Sequence, residues 1–261
     1  MIIKIIITIS IISNLVLIFF LNKKKIKNFF YKSKIKKIDI SEAHEIFKLR
    51  KISNNLKGPK KDVIIKSFSI SSNNKVVGMT SDQEAWIIAS LSKISKNIFE
   101  FGTCSGKTTY IMGLNSSEDA EIISLTLSPN EVMEISKKNK DNKASYRNII
   151  NESIYSEFLF SGDDVEKKIK VIFQNSLNFN YKPYQKKMNL IFIDGGHTYS
   201  VVKSDSEKSF EMLAKDGIIL WHDYVPSKRS ARDVVRYIHE LSKSKKLYSI
   251  RGTSLVYFKN E

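Results

Sequence analysis

Two acidic residues and two histidines end apolar runs in the second half of the chain. Asp194 closes the run "LIFID" and is followed three residues later by His197, and His222 and Asp223 follow the apolar run "IILW". If these runs are neighbouring strands, their ends bring the side chains within a few ångströms of each other. Two carboxylates with an imidazole or a water suit a hard divalent ion such as Mg²⁺. Asp194, His222 and Asp223 are therefore the candidate metal ligands.

A glycine-rich turn with the sequence "IFEFGTCSGKTTYIM" lies at residues 98–112 and resembles a phosphate-binding loop at first sight. That loop requires four residues between its two glycines, whereas only Thr103, Cys104 and Ser105 separate Gly102 from Gly106. The spacing counts against a phosphate-binding loop, and so against a nucleotide phosphotransferase, which rests only on Gly-Lys-Thr. It favours a loop for a nucleoside cofactor, in which glycines permit a tight turn and close helix packing.

Short apolar runs alternate with helix-length segments after a helix that begins near Ser81. Ser81 and Glu84 form a capping-box pattern at the start of that helix. The predicted strands are 97–101, 121–127, 171–175, 190–194 and 218–222, a strand within 144–155, and a final pair in "LYSI" and "SLVYF". The predicted helices are 106–115, 129–140, 199–214 and 229–243. This order predicts an α/β, Rossmann-like, mostly parallel sheet. The last pair is joined by only "RGT" and predicts an antiparallel C-terminal hairpin.

The N-terminal segment has a different character. Residues 5–21 carry no charge, and with residues 2–4 they reach the length of a membrane-spanning helix. The basic stretch "NKKKIKNFFYKSKIKK" that follows resists translocation, which favours a single-pass anchor with the domain facing the cytoplasm. A signal peptide or a buried helix is the alternative. We expect an anchor at 1–22, a basic juxtamembrane segment and connector at 23–60, and a catalytic domain at 61–261.

Charge is unevenly distributed along the 261 residues, whose formal net charge is +16. Eight lysines lie between Lys23 and Lys37 with no acidic residue among them. We expect this strip, within residues 1–37, to contact anionic lipids of the inner membrane, and we expect no nucleic-acid partner. One cysteine excludes an intramolecular disulfide and fits a reducing compartment.

The segments "FEFGTCSGKTT", "LIFIDGGHTYSVVKSD", "LAKDGIILWHDY" and "IRGTSLVYF" carry a family resemblance. From about residue 78 to 258 the chain resembles class I S-adenosylmethionine-dependent methyltransferases, in particular the metal-assisted O-methyltransferase branch that includes macrolide-sugar methyltransferases. The resemblance implies a seven-stranded sheet with a reversed final strand and S-adenosylmethionine as cofactor. It also implies a divalent metal, Mg²⁺, that acts on a substrate hydroxyl.

The resemblance also assigns roles to residues. His197 becomes the general base and Asp194 acts with it at the site. Thr126 stands where the family usually carries an acidic residue for the ribose hydroxyls, and Asn175 and Ser176 stand near the adenine. The residues expected to contact the cofactor are Glu100, Gly102, Thr103, Gly106, Thr126, Asn175 and Ser176. Asp205 is interpreted as a surface or capping residue.

The predicted function is therefore a membrane-anchored methyltransferase that methylates a hydroxyl on a small molecule or sugar. The alternative is a catalytically silent methyltransferase fold that serves as a membrane-tethered binding module. The two hypotheses differ in one respect that can be tested: the enzyme loses turnover when Asp194, His197 or Asp223 is replaced, whereas the silent module does not change. Nothing in the residues identifies the acceptor or the oligomeric state.

Overall fold

The computed structural model of the protein describes residues 13, 14, 16, 18, 19, 34–60, 63–68, 70, 80–128, 130–131 and 150–260. The chain divides into two units, Met1–Lys34 and Ile35–Glu261. In the first unit, residues 13, 14, 16, 18 and 19 are helical. No helix among the described residues is long and apolar enough to cross a membrane. The predicted anchor at 1–22 lies outside the described residues, apart from those five.

The second unit alternates strands and helices along most of its length. Its described strands are β1 (Lys36–Ile38), β2 (Arg50–Lys51), β3 (Lys57–Gly58), β4 (Asn97–Phe101), β5 (Glu121–Thr126), β6 (Ile169–Phe173), β7 (Met188–Ile193), β8 (Leu213–Trp221), β9 (Tyr248–Ile250) and β10 (Val256–Lys259). Its described α-helices are α1 (Ile40–Ala43), α2 (Asp82–Ser92), α3 (Lys107–Asn115), α4 (Tyr199–Met212) and α5 (Arg232–Leu241).

Eight of these strands form one sheet in the order β1-β9-β10-β8-β7-β4-β5-β6. The strands from β8 to β6 pair in parallel, and β10 runs antiparallel to both of its neighbours, β8 and β9. The predicted Rossmann-like, mostly parallel sheet with a reversed C-terminal hairpin is therefore confirmed. Strands β2 and β3 form a separate antiparallel hairpin.

The central strands are buried because both faces of the sheet are covered. Side chains of β4, β5, β7 and β8 enter two apolar clusters, one on each face; Ile98, Ile122 and Leu190 belong to the first, and Phe99 and Ile191 to the second. The near-continuous apolar runs of these strands are the pattern expected of a parallel sheet covered by helices. Because the carboxyl ends of parallel strands meet at one edge, the loops after β4, β7 and β8 become neighbours.

Helix α2 begins where the capping-box pattern placed it. The Ser81 side chain accepts the Glu84 backbone N–H, and the Glu84 carboxylate accepts the backbone N–H of Ser81. The predicted helices at 106–115, 199–214 and 229–243 are found as α3, α4 and α5 with trimmed ends. The predicted helix at 129–140 lies outside the described residues except for 130–131, which are helical.

Two predictions about strands require correction. The sheet has eight described strands instead of seven, because Lys36–Ile38 adds a parallel strand beside β9. Only one residue of that strand is buried, so its pattern is too short to distinguish it from a connector. The strand predicted within 144–155 is not found in its described part, since residues 150–152 are helical.

The segment interpreted as a connector also contributes to the core. Ile38, Ile46 and Phe47 are buried in the same apolar cluster as the central strands. The Tyr257 hydroxyl of β10 donates to the backbone carbonyl of Ala43, which fixes α1 against the end of the sheet.

We predict that Ile38→Ala lowers the free energy of unfolding by about 2–5 kcal/mol, because it removes buried methyl groups from the core. The matched control is Ile64→Ala, whose side chain is 75% exposed and should change stability by less than about 0.5 kcal/mol. Denaturant unfolding of the full chain measures both. Equal effects of the two variants would show that β1 does not belong to the folded unit.

Candidate active site

The ends of three neighbouring strands, β4, β7 and β8, build the site. Backbone pairing continues one residue beyond each strand: Asp194 N–H donates to the Phe101 carbonyl at 2.9 Å, and His222 N–H donates to the Ile193 carbonyl at 3.1 Å. These hydrogen bonds fix the backbone positions of Asp194 and His222, and so the points from which their side chains extend. The structure thus confirms that the glycine loop, the Asp194 loop and the His222-Asp223 pair meet at one edge of the sheet.

Asp194, His197 and Asp223 form a cluster whose potential ligand atoms all lie within 4.8 Å of one another. His197 Nε2 lies 2.5 Å from Asp223 Oδ2. In the part of the chain that the structure describes, Asp194 Oδ2 and Asp223 Oδ1 accept no hydrogen bond, so each aspartate keeps one oxygen available. Two carboxylate oxygens and an imidazole at this spacing fit a divalent cation.

Backbone geometry at the site is constrained in two places. Asp223 has a φ of 59°, in the left-handed region that few side chains other than Asn and Asp adopt. Gly102 has a φ of 97°, and a Cβ atom there would lie 2.3 Å from the Asp194 carbonyl oxygen. Only glycine therefore lets the β4 loop pass so close to the Asp194 loop.

His222 lies between three carboxylates and is almost fully buried. Its Nδ1 is 2.9 Å from Asp194 Oδ1 and 3.6 Å from Asp223 Oδ2, and its Nε2 is 3.4 Å from Glu84 Oε2. Burial opposes its protonation, but the charge of Asp194 and the hydrogen bonds to the carboxylates outweigh that effect and raise the pKa of His222. Both ring nitrogens thus face acidic groups of the chain.

Glu84 connects this site to helix α2 and to the C-terminal hairpin. Its Oε1 accepts the backbone N–H and the hydroxyl of Ser254, at 2.6 and 2.7 Å. Its Oε2 accepts the backbone N–H and the hydroxyl of Ser81, both at 2.9 Å. Burial opposes the charge of Glu84, yet its contact with His222 and these backbone donors together lower its pKa.

His197 is strongly coupled to the acidic groups around it. Burial disfavours its charged form, but the hydrogen bond to Asp223 and the neighbouring carboxylates outweigh burial and raise the pKa of His197 to about 9. Burial would raise the pKa of Asp223, but its hydrogen bonds to His197 and His222 outweigh burial and lower that pKa. In this arrangement the proton of the pair resides on the imidazole.

Glu100, predicted to contact the cofactor, is fully buried beneath the glycine loop. Its carboxylate accepts hydrogen bonds from the hydroxyls of Thr108 and Thr109 on α3 and of Ser124 on β5. Burial raises the pKa of Glu100 to about 7, although these donors oppose the increase. Glu100 thus ties the start of α3 to the two central strands.

The other residues predicted at the cofactor lie along the same edge. Thr103 is buried, and its hydroxyl bonds to Ser124 Oγ at 2.7 Å. Gly106 has a φ of 82° and starts α3 without a side-chain cap. A Cβ at Gly106 would lie 2.7 Å from the Phe160 ring, so close packing explains this glycine as well.

Thr126, Asn175 and Ser176 follow the ends of β5 and β6. The Thr126 carbonyl accepts the Gln174 backbone N–H at 2.8 Å, which brings the two strand ends together. The Asn175 side chain caps the short turn of 3₁₀ helix that follows it. Lys208 donates to the Ser176 carbonyl at 2.6 Å and thereby draws this segment toward α4.

Asp205 differs from its interpretation as a surface or capping residue. It is 1% exposed on α4, and burial raises its pKa to about 7. Trp221 is buried in the core, where its indole N–H donates to Ser206. Burial raises the pKa of the Cys104 thiol to about 12, which disfavours the nucleophilic thiolate form.

Two acidic residues near the site were not found from the sequence. Glu84 was recognised only as a capping residue, and nothing in its local pattern reports its contact with His222. Burial raises the pKa of Glu152 to about 7; the charge of His197 opposes this increase, and the charges of Asp194 and Asp223 add to it. Glu152 belongs to residues 144–155, for which a strand was predicted, and no sequence pattern there indicated a residue of the site.

The comparison with known families finds one similarity, which covers just under half of the chain. Residues 99–224 match the family model described as a methyltransferase domain. The matched segment runs from β4 to the residue after Asp223 and so contains the whole cluster. The segment is therefore similar to methyltransferase domains, in agreement with the family resemblance drawn from the sequence.

Several solved structures are similar to this chain at low identity. They include a methyltransferase of Podospora anserina bound to SAH (16% identity, 70% of this chain and 79% of that chain, TM-score 0.49). Another is an O-methyltransferase of Bacillus cereus in complex with SAH, with 12% identity over 71% of this chain and 84% of that chain and a TM-score of 0.47. A third is the O-methyltransferase TomG of Streptomyces achromogenes, with 9% identity over 69% of this chain and 81% of that chain and a TM-score of 0.47. Similarity at this level identifies neither substrate nor partner. No curated protein matches the sequence.

We predict that the imidazole of His197 titrates near pH 9 in the metal-free chain, above its ordinary value of 6.5. Because the folded pKa is the higher one, the stability that this pair contributes is complete below about pH 6.5 and is lost as the pH rises through about 9. Nuclear magnetic resonance of the histidine ring protons measures the titration. Asp223→Asn should return the pKa toward 6.5, and added Mg²⁺ should lower it, because a cation on Asp223 repels the proton.

We also predict that Glu84→Gln lowers the free energy of unfolding by about 1–3 kcal/mol, because buried donors and His222 lose a charged acceptor. The control is Glu45→Gln, which removes an exposed ion pair with Lys48 and should change stability little, because solvent screens such pairs. Denaturant unfolding compares the two variants. An effect of Glu84→Gln no larger than the control would contradict the role assigned to Glu84.

Proposed function

We propose that this chain transfers the methyl group of S-adenosylmethionine to a hydroxyl oxygen of a small molecule or sugar, with a divalent cation at Asp194 and Asp223. The observation that carries the proposal is the cluster of Asp194, His197 and Asp223 at the carboxyl ends of adjacent strands. This cluster lies directly beside the loop that begins at Gly102. Catalytic groups and a nucleoside loop would then share one edge of the sheet.

The donor set supports a metal at this position. Asp194 and Asp223 each have an oxygen without a hydrogen bond among the described contacts, and their ligand atoms lie within 4.8 Å of each other. His222 was expected from the sequence to be a third ligand. Both of its ring nitrogens instead contact carboxylate oxygens, Nδ1 that of Asp194 and Nε2 that of Glu84. We therefore propose that Asp194 and Asp223 are the principal ligands and that His222 holds them in position.

In the proposed reaction the acceptor oxygen attacks the methyl carbon, the carbon–sulfur bond breaks, and S-adenosylhomocysteine leaves. A divalent cation, when bound, lowers the pKa of the acceptor hydroxyl. A cation held by Asp194 and Asp223 would lower the pKa of His197 and leave its imidazole able to accept a proton. His197 then takes the hydroxyl proton at the ring nitrogen that does not face Asp223, and Asp223, bonded to Nε2, stabilises the imidazolium that forms. Alignment of the two reactants at the strand ends would supply much of the rate enhancement.

We propose that the cofactor is held chiefly by backbone groups. Gly102 and Gly106 allow its close approach, and the start of α3, which lacks a side-chain cap, offers N–H groups that favour an anionic carboxylate. Glu100 would act indirectly, because its oxygens are already occupied by three hydroxyls. Thr126 near the ribose, and Asn175 and Ser176 near the adenine, remain our proposals for the nucleoside end.

We further propose, on sequence grounds alone, that residues 1–22 anchor the chain in a membrane and that the domain faces the cytoplasm. The uncharged stretch at 5–21 and the lysines that follow it support this proposal. An acceptor presented at the membrane, such as a lipid-linked sugar, would then be favoured.

We predict that Asp194→Asn and His197→Gln each lower kcat/KM by about 10²–10⁴-fold, the range for loss of a general acid–base group, while S-adenosylmethionine still binds. The assay follows transfer of a radiolabelled methyl group to a panel of nucleotide sugars, lipid-linked sugars and catechols, with and without Mg²⁺. Asp216→Asn is the matched control, because Asp216 is an exposed aspartate at positive φ outside the site. Unchanged transfer in the Asp194 and His197 variants would contradict the proposed mechanism.

A further inference from the structure

The hairpin of β2 and β3 carries large apolar side chains on its surface. Leu49, Ile52 and Leu56 are 49%, 49% and 54% exposed, and Ile64, a few residues beyond the hairpin, is 75% exposed. Single exposed apolar residues are common on protein surfaces, whereas a group of them marks a site of interaction. The hairpin therefore has an apolar surface that the described chain does not cover.

The tip of this hairpin is an ordered turn. The backbone N–H groups of Ile52 and Ser53 both donate to the Leu56 carbonyl, at 2.9 and 3.0 Å. A Cβ on Gly58 would lie 2.6 Å from Ile52 Cδ1, so the glycine makes room for the Ile52 side chain. Arg50 Nε donates to the Pro59 carbonyl at 3.0 Å and joins the two ends of the hairpin. Ile52 and Leu56 are thus held at the two sides of an uncharged tip.

Positive charge surrounds the apolar tip. Residues 48–61 contain five lysines and one arginine and no acidic residue. Lys48 and Lys60 pair with Glu45. Among the described contacts, Arg50, Lys51 and Lys57 have no acidic partner, and all three are exposed. Behind its apolar, uncharged tip the hairpin therefore presents cations that have no acidic partner among the described residues.

We propose that the hairpin at residues 49–57 docks on a membrane surface that contains anionic lipid. Ile52 and Leu56 enter the boundary between headgroups and acyl chains, and Arg50, Lys51 and Lys57 contact lipid phosphates. An apolar tip with cations behind it matches the depth profile of that interface. An acidic protein surface would match the cations but would leave the apolar tip without a partner. The proposal uses neither the catalytic site nor residues 1–37.

The test is depth-dependent fluorescence quenching with Leu56→Trp in the full chain. The chain is combined with phosphatidylcholine vesicles that have brominated acyl chains, with or without phosphatidylglycerol. The native Trp86 and Trp221 supply a background that is measured with the unsubstituted chain. The matched control is Leu177→Trp, at a position that is 46% exposed and lies outside the hairpin.

We expect strong quenching of Leu56→Trp in vesicles with phosphatidylglycerol, and little in phosphatidylcholine alone or for Leu177→Trp. Adding Lys51→Ala and Lys57→Ala should weaken docking of the hairpin by about fivefold per residue, since each basic residue near an anionic surface contributes on that order. Quenching no greater than that of Leu177→Trp would overturn the proposal, even if the chain itself stays with the vesicles. Equal quenching in both lipids would overturn the role of anionic lipid.

Discussion

The geometry of the candidate site depends on the buried imidazole of His222. It lies within reach of three carboxylates, those of Glu84, Asp194 and Asp223. Carboxylates this close repel one another, and burying them is costly unless an opposite charge or hydrogen-bond donors accompany them. A protonated His222 supplies both at the centre of the group. The carboxylates of Asp194 and Asp223 can therefore lie close together at a largely buried strand edge.

This interaction joins parts of the chain that are distant in sequence. Glu84 lies at the start of α2, Ser254 lies in the turn between β9 and β10, and Asp194 follows β7. Glu84 contacts Ser254 and His222 directly, so helix α2 and the C-terminal hairpin are both fixed to the site. The close approach of Gly102 to the Asp194 loop adds the glycine turn to the same assembly.

The main sheet could be predicted from the sequence because its strands are short, apolar and separated by helices. The strand at 97–101 was predicted with its observed bounds, and the reversed final pair followed from the length of its connection. Asp194, His197 and Asp223 could be grouped because parallel strands end at a common edge. These inferences need only local pattern and topology.

The remaining features depend on tertiary contacts that no local pattern reports. Strand β1 has one buried residue, so its periodicity is indistinguishable from that of a connector. The sequence around Glu84 indicates only a helix cap. Its second role, at the site, arises from its contact with His222, which lies 138 residues further along the chain. Asp205 lies on a helix of largely polar composition, yet packing against the sheet buries it completely.

Calorimetric titration of S-adenosylmethionine into the full chain, with and without Mg²⁺, tests the central claim most directly. We predict binding in the micromolar range that is abolished by Gly102→Arg, because a side chain there collides with the Asp194 loop. We also predict that Mg²⁺ changes the heat of binding, and that this change disappears in Asp223→Asn. No binding by the folded chain in either condition would contradict the account and favour a silent methyltransferase fold.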